Sequence, residues 1–211
     1  MVELVKNKRL FNNRLERSKL IFEKYGEMLK GRVLDVGCWE RDLKKFLDSN
    51  TEYVGIDISG SPDIKVDLEK QKIPFGDNFF DCVVCTDVLE HLDNIHDVFD
   101  ELIRVSKKYI IVSLPNCYAT NIMRVIFGKT ESRFYGLPIE KPIDRHKWFL
   151  NYNQAENFIK ERSKRNNAEV VRIDPIIKKR PIRNLIIKGF YGKRANNIIA
   201  LYCWAIIKKN G

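Results

Sequence analysis

No apolar run in this chain of 211 residues approaches the roughly 20 that a membrane-spanning helix needs. The longest, Ile198 to Ile207, has the length of a buried strand. The N-terminus opens on charge (Glu3, Lys6, Lys8, Arg9) where a signal peptide would place its apolar core. Cysteine is sparse and odd in number, five in all, which suits a reducing compartment and a cytoplasmic protein better than a disulfide framework. Cys82 and Cys85 have C-x-x-C spacing, but they fall in an apolar, strand-like run where residues three apart face opposite sides of a sheet, so no redox or zinc role is expected. Internal repeats and low-complexity tracts are absent. The nicotinamide-type G-x-G-x-x-G loop is absent too: one glycine, Gly37, remains of it, followed by Trp39 and Arg41 where small residues would be expected. Acidic residues almost vanish from the end of the chain. Residues 160–211 hold 14 Lys/Arg against 3 Asp/Glu, a net of +11, whereas residues 1–159 hold 24 against 25, a net of −1.

What is present describes one soluble domain with a sizeable core, at 44% hydrophobic and 31% charged residues. The segregated basic region points to an anionic partner, either RNA or an acidic membrane surface reached through 178–194, or a phosphorylated substrate. A solubilising surface is the equal alternative.

Along the chain, Leu10, Phe11, Leu15, Leu20, Ile21, Met28 and Leu29 mark an amphipathic helix over 10–30, ended by Gly31. A strand at 32–37, a helix at about 41–48, a strand at 52–57, a turn at 59–62 and a short strand at 64–67 follow. Phe79–Thr86 is almost continuously apolar, as expected of a central strand covered on both faces. A helix at 94–106 with an Ile95, Val98, Phe99, Leu102, Ile103 stripe precedes a strand at 109–114. Residues 116–152 read as irregular, with 117–152 a lid or substrate insertion. A helix at 153–164, a strand at 168–174, a basic connection at 175–195 and a strand at 198–207 complete the reading. The division expected is an N-terminal helical extension, 1–30, and a main domain, 31–211.

Alternating strands and helices make this an α/β chain with a parallel-type sheet covered on both faces, and ligands of such sheets bind at the carboxyl ends of the strands. Asp35, Gly37, Asp57, Asp67, Thr86 and Asp87 all fall at those ends. A buried strand, a glycine turn and an acid about twenty residues on are the general signature of an adenosine-cofactor site.

In order and spacing, VLDVGC (33–38), YVGIDIS (53–59), VDLEKQKIPFGDNFFDCVVCTDVLEHLDN (66–94) and IIVSLPN (110–116) resemble the class I S-adenosylmethionine-dependent methyltransferases of the methyltransferase-11 type. The resemblance covers about 30–116 and extends to the final strand. It implies a single Rossmann-like three-layer domain, with a mostly parallel seven-stranded sheet and an antiparallel last strand. It also implies an enzyme that uses S-adenosyl-L-methionine to methylate O, N or C of a small metabolite, a lipid or glycan, or RNA. The alternative is a non-catalytic module of the same fold that binds an anionic partner through its basic end. By the resemblance, Asp57 accepts from both ribose hydroxyls and Asp67 from the adenine amino group, with Leu68 beside the ring. Gly37 lets the backbone approach the methionine portion, Asp35 orients its ammonium and Thr86 offers that ammonium a carbonyl. Cys38 and Ile58 line the same pocket. Cys38-Trp-Glu-Arg41 departs from the family's small residues, leaving Trp39 either to pack over the cofactor or to turn outward.

Asp87, Glu90 and His91 lie at i, i+3 and i+4, one helical face if that segment is helical, and His146 comes from the irregular segment. The set is similar to the E-x-x-E-H metal ligands of small-RNA 2′-O-methyltransferases and ubiquinone-pathway O-methyltransferases, although no metal is the favoured expectation. His91 and His146 are the candidates for a general base, with His146 alternatively anchoring its loop through Trp148 and Phe149.

Overall fold

The structure, a computed structural model, describes residues 13–126, 128, 134–142, 144–178 and 180–210. The start of the expected first helix (10–12) and parts of the expected lid (127, 129–133 and 143) lie outside these residues. Helix α1 (Arg14–Tyr25) starts where the Asn13 side chain accepts from the Glu16 amide at 2.8 Å. Strands β1 (Arg32–Val36), β2 (Glu52–Asp57), β3 (Ile64–Lys65) and β4 (Phe80–Cys85) are all parallel neighbours. Helix α2 (Ile95–Val105) leads into β5 (Ser106–Pro115), and α3 (Cys117–Ile126) follows. Then come α4 (Tyr152–Arg165), β6 (Ala168–Ile177), α5 (Pro181–Tyr191), the one-turn α6 (Asn196–Ile199) and β7 (Ala200–Lys209). The seven strands form one sheet in the order β3-β2-β1-β4-β5-β7-β6, and β7 runs antiparallel to both of its neighbours.

The twofold alternation of strand side chains divides the core between the two faces of the sheet. Leu34, Val36, Val83, Cys85, Ile110 and Val112 face α2 and α4, where the Val98, Phe99 and Leu102 stripe is buried. Val33, Cys82, Val84 and Ile111 face α1 and pack with Ile21, Tyr25, Leu29 and Trp204. Cys82 and Cys85 thus lie on opposite faces, and all five cysteines are free and buried. Asp35 shares the register of Val33, so its carboxyl is on the α1 side. Helix α1 is also tied to β6: Tyr25 donates to Asp174 Oδ2 at 2.7 Å.

Four local readings differ from the sequence expectation. The first helix, expected to run to 30 and end at Gly31, stops at Tyr25 and passes into a 3₁₀ turn, Gly26–Met28. The helix expected at 41–48 is a 3₁₀ turn, Asp42–Phe46, because Arg41 before it is left-handed at φ 56° and the turn closes on i→i+3 bonds. Residues 117–126 of the stretch read as irregular are helical; buried Asn116 starts that helix, its side chain accepting from the Ala119 amide at 3.3 Å. The basic connection contains α5, started by Pro181. No helix among the described residues is long and apolar enough to cross a membrane.

Candidate active site

The carboxyl ends of β3, β2, β1 and β4 lie side by side, and β1 with β4 is where the strand order reverses direction, so one crevice collects the residues at all four ends. Gly37 turns the chain out of β1 at φ 77°, and the Gly37 and Cys38 amides both donate to the Ile56 carbonyl, at 2.8 and 3.2 Å. A Cβ on Gly37 would stand 2.2 Å from a Val88 methyl. Glycine is therefore required both by the left-handed backbone and by the turn after β4.

Asp57 ends β2. Its Oδ2 accepts the Trp39 amide at 2.8 Å and its Oδ1 the Ser59 amide at 2.9 Å. A carboxylate has about four acceptor positions, so Asp57 holds the two loops together and keeps lone pairs for a hydroxylated ligand. Trp39 and Arg41, both left-handed, carry the loop on from Gly37. The Trp39 carbonyl accepts from Ser61, its ring lies under the Arg14 guanidinium at 4.8 Å, and Arg41 reaches away to Asp63 at 2.6 Å. Ile58 is 61% exposed beside Asp57, an open apolar face at the crevice rim. Asp67, beyond β3, is bonded to Lys70 and to the Glu69 amide, while Leu68 packs into the core. Cys38 and Thr86 are buried at the ends of β1 and β4.

Asp35 forms the floor. It accepts from the Tyr53 hydroxyl at 2.8 Å, and burial pushes its pKa up to about 6 against the effect of that bond. Burial likewise pushes the Cys38 thiol up to about 12, which makes it an inert wall. Two residues of the crevice carried no sequence signal: Arg14 and Arg17 reach it from α1. Arg17 Nη1 lies 2.6 Å from Asp87 Oδ2, and its buried Nε has no hydrogen-bond partner.

Asp87 is left-handed (φ 57°) and is held at both ends of its carboxylate, by Arg17 on Oδ2 and by Ser113 Oγ, which accepts its amide and donates to its Oδ1. It stands apart from a tighter group beyond it. One ligand-capable atom each from Glu90, His91 and His146 lies within 4.8 Å of the others. The Glu90 carboxyl is buried, its Oε2 has no partner, and burial followed by the charge of Asp87 raises its pKa well above the carboxylate range. His91 Nδ1 faces two acceptors, Asp144 Oδ1 at 2.6 Å and the Arg145 carbonyl at 3.2 Å, which places its proton on Nδ1. The Tyr135 hydroxyl lies among three partners, Cys117 Sγ at 2.7 Å, His146 Nδ1 at 2.9 Å and the Trp148 carbonyl at 3.1 Å. Burial, then His91, lowers the His146 pKa to about 4, so it is neutral near pH 7. Trp148 anchors the segment by donating from Nε1 to the Leu92 carbonyl at 2.7 Å.

This arrangement has relatives. The family described as "Methyltransferase domain" matches residues 8–176. The chain belongs to that family: it is a class I methyltransferase, an enzyme whose methyl donor is S-adenosylmethionine. Among solved structures, an S-adenosylmethionine-dependent methyltransferase from Archaeoglobus fulgidus shares 19% identity over 95% of this chain and 96% of its own, with a TM-score of 0.63. Magnesium protoporphyrin IX methyltransferase from Synechocystis PCC 6803 with bound SAH shares 16% over 93% and 83%, with a TM-score of 0.56. The small RNA methyltransferase HEN1 shares 16% over 99% of this chain and 27% of its own, with a TM-score of 0.60. These likenesses are of fold. No curated protein matches the chain in sequence.

Proposed function

We propose that this enzyme binds S-adenosylmethionine across the ends of β1, β2 and β4 and directs its methyl group to an O–H or N–H nucleophile held beside Glu90, His91 and His146. The cofactor supplies an electrophilic methyl on a sulfonium; the chain supplies position and charge. Asp57 carries the reading: a carboxylate fixed by two backbone amides, with acceptor positions left over, suits a vicinal diol. Asp67 accepts from the adenine amino group, with Leu68 and exposed Ile58 against the ring. Gly37 keeps the loop low over the methionine portion, whose ammonium meets Asp35 and the Thr86 carbonyl. Arg17, with Nε–H unused, faces the carboxylate of the same portion. Neutral His146 accepts the proton that the nucleophile sheds.

Isothermal titration with S-adenosylhomocysteine tests this directly. Binding by the wild type and a loss of roughly 100-fold in Asp57→Ala, which forfeits two charge-assisted bonds, are expected. A folded wild type that takes up no S-adenosylhomocysteine would refute the reading.

The unpartnered, buried Glu90 Oε2 favours a second reading of the neighbouring group. Glu90, His91 and His146 hold a divalent cation that polarises the acceptor hydroxyl, with the Asp144–His91 contact orienting one ligand. Asp87 does not join them, being committed to Arg17 and Ser113. Cobalt(II) absorption in the visible range, present in the wild type and lost in His146→Ala, is the expected result; a silent wild-type spectrum assigns His146 to proton transfer alone.

A further inference from the structure

Helix α5 turns most of its apolar bulk outward. Its most buried residue is polar: Asn184, 8% exposed, donates its side-chain amide to the Lys178 carbonyl at 2.9 Å, and Ile187 beside it packs against the core. Its outward face carries Ile182, Leu185, Ile186 and Phe190 at i, i+3, i+4 and i+8, exposed by 76, 74, 53 and 84%. Four large apolar side chains along one open face are the reverse of a solubilising helix and mark an interaction surface. Cations frame the stripe. Arg183 and Lys188 lie within the helix, Arg180 and Arg194 at its ends, and the sequence contains no Asp or Glu after Asp174. With 11 residues, the helix is about half as long as the hydrocarbon core of a bilayer is thick, so it can lie along an interface but not cross it.

The helix also occupies the functional end of the sheet. Ile177, which ends β6, pairs with Ala200, and Pro115, which ends β5, pairs with Tyr202. The connection holding α5 therefore leaves and re-enters at the carboxyl ends of the parallel strands, where the crevice opens.

We infer that α5 docks the enzyme on an anionic lipid surface. Ile182, Leu185, Ile186 and Phe190 enter the boundary between headgroups and acyl chains, and the flanking cations meet lipid phosphates. The apolar bulk decides the occupant: a nucleic-acid backbone would engage the cations but leave an aliphatic stripe in water. A second copy of the helix would cover the stripe but set two acid-free basic borders against each other.

Co-sedimentation of the full chain with phosphatidylcholine vesicles, with and without phosphatidylglycerol and in the absence of cofactor, tests docking by itself. The wild type is expected to follow the anionic vesicles only, and less so as salt rises. Leu185→Ser/Phe190→Ser, which changes exposed positions and no charge, is expected to lose tenfold or more of that binding. Arg180→Gln/Arg183→Gln is expected to lose about fivefold per charge. S-adenosylhomocysteine affinity stays unchanged in both variants, which separates docking from the cofactor site. A folded wild type that remains in the supernatant overturns the inference. So does vesicle binding indifferent to Leu185→Ser/Phe190→Ser, the behaviour of a purely ionic surface such as one made for RNA. A dimer in sedimentation equilibrium that this variant abolishes reassigns the stripe to a second copy.

Discussion

Arg17 Nη1 and Asp87 Oδ2 stand 2.6 Å apart with side chains 12% and 19% exposed, joining the first helix to the turn after β4 across 70 residues of sequence. The pair makes α1 a wall of the crevice. It also balances part of the negative charge that Asp35 and Asp87 bring there.

Removing one partner of a buried pair strands the other. Arg17→Ala is expected to lower stability by about 3 kcal/mol in urea denaturation, and Arg17→Ala/Asp87→Asn to recover most of that loss. Equal loss in the single and double variants would mean that Arg17 acts by packing, not by charge. Both variants should bind S-adenosylhomocysteine more weakly, because both lack the Nε donor.

Gly37 meets two separate demands. Its φ of 77° costs a substituted residue about 1 kcal/mol, and a Cβ there would meet Val88 Cγ2 at 2.2 Å. Gly37→Ala is expected to lose about 2–3 kcal/mol in thermal or chemical unfolding. Adding Val88→Ala removes the clash but not the backbone strain, so Gly37→Ala measured in a Val88→Ala background should cost only about 1 kcal/mol. An undiminished cost in that background argues against the contact.

Asp35 makes stability depend on pH in a direction unusual for a carboxylate. Its folded pKa is raised from 3.8 to about 6, mainly by burial, so the folded state keeps a proton that the unfolded chain releases. The resulting stabilisation is complete below about pH 3.8 and is lost as pH rises toward 6, where the buried charge costs up to about 3 kcal/mol. Asp35→Asn never ionises and can still accept from Tyr53. Its stability relative to wild type should grow between pH 4 and 6 and then level off, while S-adenosylhomocysteine binding weakens. A pH-independent difference between the two proteins is the outcome that contradicts this account.

The strand ends were legible because their signals are local. Val33–Val36 and Phe80–Cys85 are apolar runs that only a covered strand accommodates, and the residue that ends such a run also ends at the crevice. Asp35, Gly37, Asp57 and Thr86 could therefore be placed in order without coordinates. Helix α3 was less legible, since its apolar residues follow Pro115 in a segment rich in turn formers, yet Asn116 supplied a cap that three-residue spacing could have found. Helix α5 could be read as basic and aromatic, but not as exposing most of its apolar side chains. Which face of a helix turns inward depends on what it packs against, and Asn184 is buried only because the Lys178 carbonyl waits for it.

The sequence alone determined the class of sheet, the order of its elements and the acids at its carboxyl ends, because hydrophobic period and turn chemistry act between near neighbours. Only the tertiary structure decided that Arg17 closes on Asp87, that the Trp39 ring stacks on Arg14 while Arg41 pairs with Asp63, and that Glu90, His91 and His146 come together. Each of these is a contact between residues far apart in the chain. Such contacts exist only once the sheet has brought its strand ends together and burial has made an unpaired charge costly.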